Sequence, residues 1–284
     1  MTVETAYDAC RAITRAAARN FYYGFVFLPN PRRAAIYAAY AFSRRADDTI
    51  DEDGSLDGKL AALAELRREL DLVYAGTPPD DDEVLVALAD TVRQFGVPRE
   101  HLDALLDGEQ MDLTISRYPS FSDLKSYCDR VAGAVGLVSL HIFGFTDPRA
   151  PRHAGDLGVA LQIVNIMRDV AEDAGRDRIY LPQDEIVAHG VDEADIFAGR
   201  ATPQVRALLH AQGERAKEYF ASGERLLPML DRRARACVAM LGGLYKEILY
   251  EIEARDYDVF GERIALSTTR KLALMSQKTF ETIR

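Results

Sequence analysis

Apolar residues recur at spacings of three and four along almost the whole chain and nowhere alternate convincingly, so the pattern predicts helix nearly throughout. The first helix is read over Thr5–Arg19 and leads into Asn20–Phe25. Pro29 and Pro31 end that element, and Pro31 suits the first turn of the next. Arg32–Glu52 contains neither Gly nor Pro and is rich in Ala. Leu56–Tyr74 shows an apolar face at Leu60, Leu63, Leu66 or Arg67, and Leu70; the loop Thr77–Asp82 separates it from Glu83–Phe95. Pro98 starts Arg99–Ser116, after which come two long helices, Asp123–Phe143 and Ala154–Ala174, and a break at Leu181–Pro182. Thr202–Leu227, Leu230–Asp256 and a last helix from Thr268 complete the set. No internal repeat or low-complexity linker divides the chain. The expectation is one all-α domain over 1–284, a bundle of roughly ten to twelve helices with its chemistry in the core.

Two of these helices carry polar stripes. In Gln162–Asp173, the residues Gln162, Asn165, Asp169 and Asp173 step by three, four and four, which stacks them on one face. Ile163, Val164, Ile166, Met167 and Val170 flank them, so the stripe is expected to be partly buried. Upstream, Ile36, Tyr40, Arg44, Asp47 and Asp51 step by four, four, three and four, with Asp48 beside them. This second stripe starts apolar and ends acidic. Carboxylates four residues apart repel by roughly 0.2–0.5 kcal/mol even on an exposed helix, and more in a low dielectric unless cations compensate. Facing each other across a hollow, the two acidic ends would cage a hard divalent cation such as Mg²⁺, which takes few carboxylates plus water and phosphate oxygens. The competing reading is two solvated helix ends; the arginines beside them, Arg44 and Arg168, favour the site.

The net charge of −10 argues against nucleic acid as a partner. Cys10, Cys128 and Cys237 are far apart and odd in number. They show neither a disulfide framework nor a zinc spacing, fit a reducing cytoplasm, and are expected as buried small hydrophobes. The N-terminus has no secretory pattern, and no apolar run reaches the ~18 residues of a membrane span. A cytoplasmic protein is expected, with peripheral contact at the inner face of a membrane compatible with it. The longest apolar stretch, Val131–Phe145, holds His141 and three glycines and reads as a tightly packed core helix, with His141 a satisfied core histidine.

The chain resembles the squalene/phytoene synthase family, the head-to-head prenyl synthases. The resemblance rests on F-Y-Y-G-F-V-F-L-P (Phe21–Pro29), Y-A-F-S-R-R-A-D-D-T-I-D (Tyr40–Asp51), Y-C-D-R-V-A-G-A-V-G (Tyr127–Gly136), L-Q-I-V-N-I-M-R-D-V-A-E-D (Leu161–Asp173) and D-R-I-Y-L-P (Asp177–Pro182). It implies a helical bundle of the isoprenoid synthase type with a central active-site cavity, in which Mg²⁺ and two allylic diphosphates are joined to a cyclopropyl intermediate. By resemblance, Asp47, Asp48 and Asp51, with Asn165, Asp169 and Asp173 opposite, hold two or three Mg²⁺ ions. Arg44 and Arg168 neutralise phosphate. Phe21, Phe25, Tyr40, Tyr127, Gln162, Tyr245 and Arg263 are expected to contact substrate, the aromatic faces stabilising carbocations and excluding water. Gly133 and Gly136 either leave room for a prenyl chain or allow close helix packing.

The family divides into C15 and C20 users. F-Y-Y-G-F, G-E-Q-M-D-L-T-I-S-R-Y and V-S-L-H-I-F-G-F look like bacterial presqualene diphosphate/squalene synthases, whereas I-Y-L-P-Q-D-E-I and D-I-F-A-G look equally like phytoene synthases. The C15 reading is preferred here: two farnesyl diphosphates joined to presqualene diphosphate, and on to squalene if NADPH is used. The alternative is phytoene from two geranylgeranyl diphosphates. A non-catalytic scaffold relative is disfavoured by the intact acidic motifs, and a head-to-tail prenyltransferase or terpene cyclase by the form of the second one.

Overall fold

The computed structural model describes residues 1–18, 21–51 and 53–283, so Arg19, Asn20 and Glu52 of the predicted helices, and Arg284, lie outside the described residues. The elements are α1 (Val3–Ala17), α2 (Phe21–Phe25), α3 (Arg32–Asp51), α4 (Leu56–Ala75), α5 (Glu83–Phe95), α6 (Arg99–Thr114), α7 (Phe121–Cys128), α8 (Ala134–Phe143), α9 (Ala150–Gly175), α10 (Gln183–Ala188), α11 (Glu193–Phe197), α12 (Pro203–Gly223), α13 (Arg232–Ala254) and α14 (Thr268–Ile283). The short α10 and α11 are not among the predicted helices. They carry too few residues to show a period.

Side-chain caps mark several helix starts. Thr2, Ser55, Asp82, Thr202 and Asp231 accept hydrogen bonds from the first turns of α1, α4, α5, α12 and α13. Ser120 and Asp123 form a capping box at α7. Gly76 and Gly96 end α4 and α5 in the left-handed conformation at φ 75° and 61°.

The predicted helix 123–143 is interrupted. A wide π-type turn, Asp129–Gly133, joins α7 to α8 without breaking the rod. Likewise the end of the predicted 202–227 helix tightens into a 3₁₀ turn, Glu224–Met229, around Pro228.

α9 packs against α12, α8 and α13, whereas α3 packs against α1, α5, α6 and α8. α3 and α9 make no substantial contact with each other, and the cavity lies between them. On the α8 side the wall is closed by backbone. A Cβ on Gly158 would lie 2.5 Å from the Ala132 carbonyl oxygen, and one on Gly136 would lie 2.7 Å from that of Ala154. The close-packing reading of this glycine pattern therefore holds at Gly136. All three cysteines are buried and free. No helix among the described residues is long and apolar enough to cross a membrane.

Candidate active site

The hollow between α3 and α9 encloses about 440 Å³, within the range of small-molecule sites, and its wall changes character along its length. At one end stand Arg44, Asp47 and Asp51 of α3, Glu109 and Asp112 of α6, Gln162, Asn165 and Asp173 of α9, and Arg176, Arg178 and Tyr180 from the segment after it. Farther along, the lining is Ile36, Ala39, Leu102, Leu105, Val135, Leu157, Leu241 and their neighbours, nearly all apolar.

The acidic rows sit at the C-terminal ends of α3 and α9. No basic residue occupies either last turn. A helix C-terminus already carries partial negative charge, so carboxylates there add repulsion. The two ends face each other, as Arg176 beyond α9 reaches within 3.7 Å of Asp51 on α3. Burial raises Asp47 to about 6, even with Glu109 hydrogen-bonded to it and Arg44 nearby. Glu109 goes up to about 10, through burial first and then the Asp47 charge. Asp173 rises to about 7, from burial and then the charges of Asp169 and Glu172.

The predicted site residues divide by position. Asp47, Asp51, Asp173, Arg44, Gln162 and Asn165 line the cavity, as do Phe21, Phe25, Tyr40, Tyr127 and Tyr245. Phe21 packs on Phe25, Tyr40 and Tyr245 with ring centroids 6.4, 6.4 and 5.8 Å apart, making one aromatic wall. Asp48 is not on the cavity wall; its carboxylate pairs with Arg44. Asp169 and Arg168 also lie off the wall. Asp169 accepts from Arg168 Nε at 2.8 Å and from Arg263 Nε at 3.1 Å. The structure thus brings Arg263, from far down the chain, to the second acidic row. His141 is half-buried, against the rings of His101 and Phe145, not in the closed core expected for it.

Five lining residues of the acidic end went unassigned in the sequence: Glu109, Asp112, Arg176, Arg178 and Tyr180. Asp112 accepts from Tyr127 Oη at 2.9 Å and Tyr180 Oη at 2.7 Å, while Arg178 donates to its backbone carbonyl at 2.7 Å. Burial raises the Asp112 carboxyl although both tyrosine hydroxyls lower it. The sequence holds only a faint trace of them: Glu109 and Asp112 share a helix face at i,i+3, and Arg178 and Tyr180 stand two apart on one segment, but neither spacing separates a buried site residue from a solvated one. That segment is held extended by a bridge between Arg117 and Ile179, with Ile179 N–H donating to the Ser116 carbonyl at 3.0 Å.

These donors suit a hard divalent cation. They are carboxylate and amide oxygens, they crowd negative charge, and Asn165 Oδ1 is buried with no hydrogen-bond partner in the protein. Among the described residues no three His, Cys, Asp or Glu side chains converge closely enough to hold a metal by themselves. The two walls therefore need further oxygens between them, which a diphosphate has.

A family model described as squalene/phytoene synthase matches residues 14–270. The 15-cis-phytoene synthase of Synechococcus elongatus is 40% identical over 95% of this chain and 91% of its own. The phytoene synthase of Mycobacterium tuberculosis is 42% identical over 95% of this chain and 89% of its own. Among solved structures, a dehydrosqualene synthase in complex with ligand superposes with a TM-score of 0.91 at 29% identity, covering 98% of this chain and 97% of that one. These relatives correct the C15 preference, since identity is higher to proteins named for the C20 reaction. The physical reason is that the motifs behind that preference lie mostly at the acidic and aromatic end, where both reactions make the same demands.

Proposed function

The chain belongs to the squalene/phytoene synthase family, whose members are prenyltransferases acting on prenyl diphosphates, and we propose that it joins two geranylgeranyl diphosphates into phytoene. The observation that carries this reading is the 40–42% identity to phytoene synthases across nearly the whole chain.

The family is metal-dependent. In this reading Asp47 and Asp51 from α3, with Asn165, Asp169 and Asp173 from α9, would hold Mg²⁺, which supplies charge neutralisation to a departing pyrophosphate. Arg44, Arg176 and Arg178 on the cavity wall bind diphosphate oxygens, and their planar forks suit that geometry better than ammonium groups would. Arg168 and Arg263 fix the direction of the Asp169 carboxylate. Once C1 of one substrate ionises, the faces of Phe21, Phe25, Tyr40 and Tyr245 shelter the allylic cation, and the apolar lining keeps water from capturing it. Tyr127 and Tyr180, both anchored on Asp112, close the polar end. Joining two C20 units releases two pyrophosphates and two protons, so the balance needs no reductant, and NADPH has no part in it.

Purified protein incubated with geranylgeranyl diphosphate and Mg²⁺ is expected to yield phytoene by mass, and no product when the metal is chelated. Product from farnesyl diphosphate alone, or from neither substrate, would overturn the reading.

A further inference from the structure

Among the described residues, five arginine side chains make neither a hydrogen bond nor an ion pair: Arg15, Arg33, Arg225, Arg232 and Arg233. Four of these lie at one pole of the bundle. Arg33 is in the first turn of α3, Arg232 and Arg233 open α13, and Arg225 sits in the 3₁₀ turn after α12. The pole is contiguous. Arg32 pairs with Asp231 at the start of α13, and a Cβ on Gly144, just past α8, would lie 3.5 Å from Arg32 Nη2. Arg235 donates from Nε to the Leu227 carbonyl of the 3₁₀ turn at 2.8 Å. The segments that build this pole, 29–33, 144–156 and 224–235, hold eight arginines against four acids, in a chain whose net charge is −10.

These charges run against the helix dipoles. α3, α9 and α13 carry no acid in the first turn, where a carboxylate would stabilise the free N–H groups, and each has arginines in that turn or beside it. Asp231 caps α13, but it is already shared with Arg32. The same α3 and α9 end in carboxylates, again the unfavourable sign, where a cation is to bind. By the same reasoning, cations crowded at the helix starts point to an anion outside the protein.

Apolar groups stand among the arginines. Val26 and Pro228 are exposed, and Phe27, Phe145, Leu227 and Met229 are half-buried. This mixture fits the interface of a bilayer, where alkyl and ring groups enter the acyl boundary and guanidinium groups meet phosphate. A nucleic acid backbone would use the arginines and leave the apolar tips in water.

The pole also overlies the apolar end of the cavity. Ile36, Ala154 and Val238 line the hollow from the second turns of α3, α9 and α13. Phe143, the last residue of α8, and Leu226 of the 3₁₀ turn line it beside them. The acids line it from the opposite ends of α3 and α9.

We propose that this pole docks on a bilayer of anionic phospholipid and so brings the apolar end of the cavity to the acyl chains, giving a hydrocarbon product an exit that avoids water. The exit rests on the prenyl-coupling reading of the cavity; the docking does not.

The test is sedimentation of the purified chain, without substrate, on vesicles of phosphatidylcholine alone or with roughly one third phosphatidylglycerol. Each basic residue near such a surface contributes roughly fivefold to binding. The wild type is expected to bind the anionic vesicles at least about tenfold more tightly than the neutral ones, and to release as salt rises. Arg225→Glu/Arg232→Glu/Arg233→Glu should abolish that preference, and Gln at the same three positions should remove most of it, with melting near the wild-type temperature. Arg68→Glu/Arg93→Glu/Arg200→Glu changes the net charge equally at exposed positions on or beside other helices and should bind as the wild type does. Equal binding of the wild type to both vesicles, or an equal loss in that control, would overturn the proposal. So would binding to duplex DNA in place of the anionic vesicles. Failure to form phytoene bears on the phytoene reading alone, because sedimentation is scored without turnover.

Discussion

Arg45 and Asp47 stand two residues apart on α3, which at 3.6 residues per turn places them on nearly opposite faces. Arg45 grips Asp82 with two hydrogen bonds of 2.8 Å, and Asp82 in turn caps α5 through the Leu85 N–H at 3.0 Å. Burial alone would raise Asp82, but the guanidinium and the backbone N–H groups pull it below the usual carboxylate range. Asp47 meets the reverse situation. It faces Glu109, another acid, and both are pushed up. One face of the helix pairs Arg45 with Asp82 and ties α3 to α5. The other gathers like charges that Arg44 and Arg176 compensate only in part, so local stability is given up where a cation can bind.

The sharpest way to break this comparison is Asp47→Asn. Turnover should fall by about 10²–10³-fold or more, as for removal of a group that stabilises developing charge, while thermal melting in chelator stays level or rises. A fall in melting temperature with activity intact would invert the assignment of the two faces. Next in size is Arg45→Ala, which strands Asp82 and should cost about 2–4 kcal/mol of stability in a denaturant titration.

Acidity separates the faces further. The Asp82 pKa is lower folded than unfolded, so its contribution is present above the ordinary value of 3.8 and is lost as pH falls through the folded value. Glu109 has the opposite sign. Raised from 4.5 to about 10, it favours the fold below the ordinary value and loses that contribution as pH rises toward the higher one. Melting of the metal-free protein should therefore weaken both below pH ~4 and progressively above pH ~5. The smallest effect is expected from Glu109→Gln. At pH 7 the carboxyl is protonated in the fold but ionised in the unfolded chain, so its removal should raise stability, by on the order of 1–3 kcal/mol, and flatten the alkaline slope. An unchanged slope would mean that Glu109 is not the group responsible.

The all-helical architecture was legible because periods of three and four leave no other reading, and the acidic rows were legible because each lies within a single helix. Asp112 was not legible. What distinguishes it from a solvated acid is burial under Tyr127 and Tyr180, the second arriving from 68 residues away. Arg178 and Tyr180 escaped because an extended stretch of five residues has no period to detect, and only its bridge to Arg117 fixes which side faces inward. The choice between C15 and C20 chains escaped for a related reason. In the proposed reading it depends on the gap between walls contributed by α3, α6, α8 and α9, and spacing along one helix carries no information about distance to another.

The wide turn at Asp129–Gly133 has a consequence for what this rod could survive. Tyr127, Val131, Val135, Ser139 and Phe143 all line the cavity at a stride of four. A regular α-helix drifts by about 40° at each such stride. The loosened turn, winding less per residue, absorbs much of that drift and keeps Tyr127 in phase with the residues below it. Excising one residue from it would restore a regular helix and swing everything before the cut through about 100°, taking the Tyr127 hydroxyl off Asp112 with every side chain still present. Any homologous chain of this shape that is one residue shorter there would need a different partner for that aspartate.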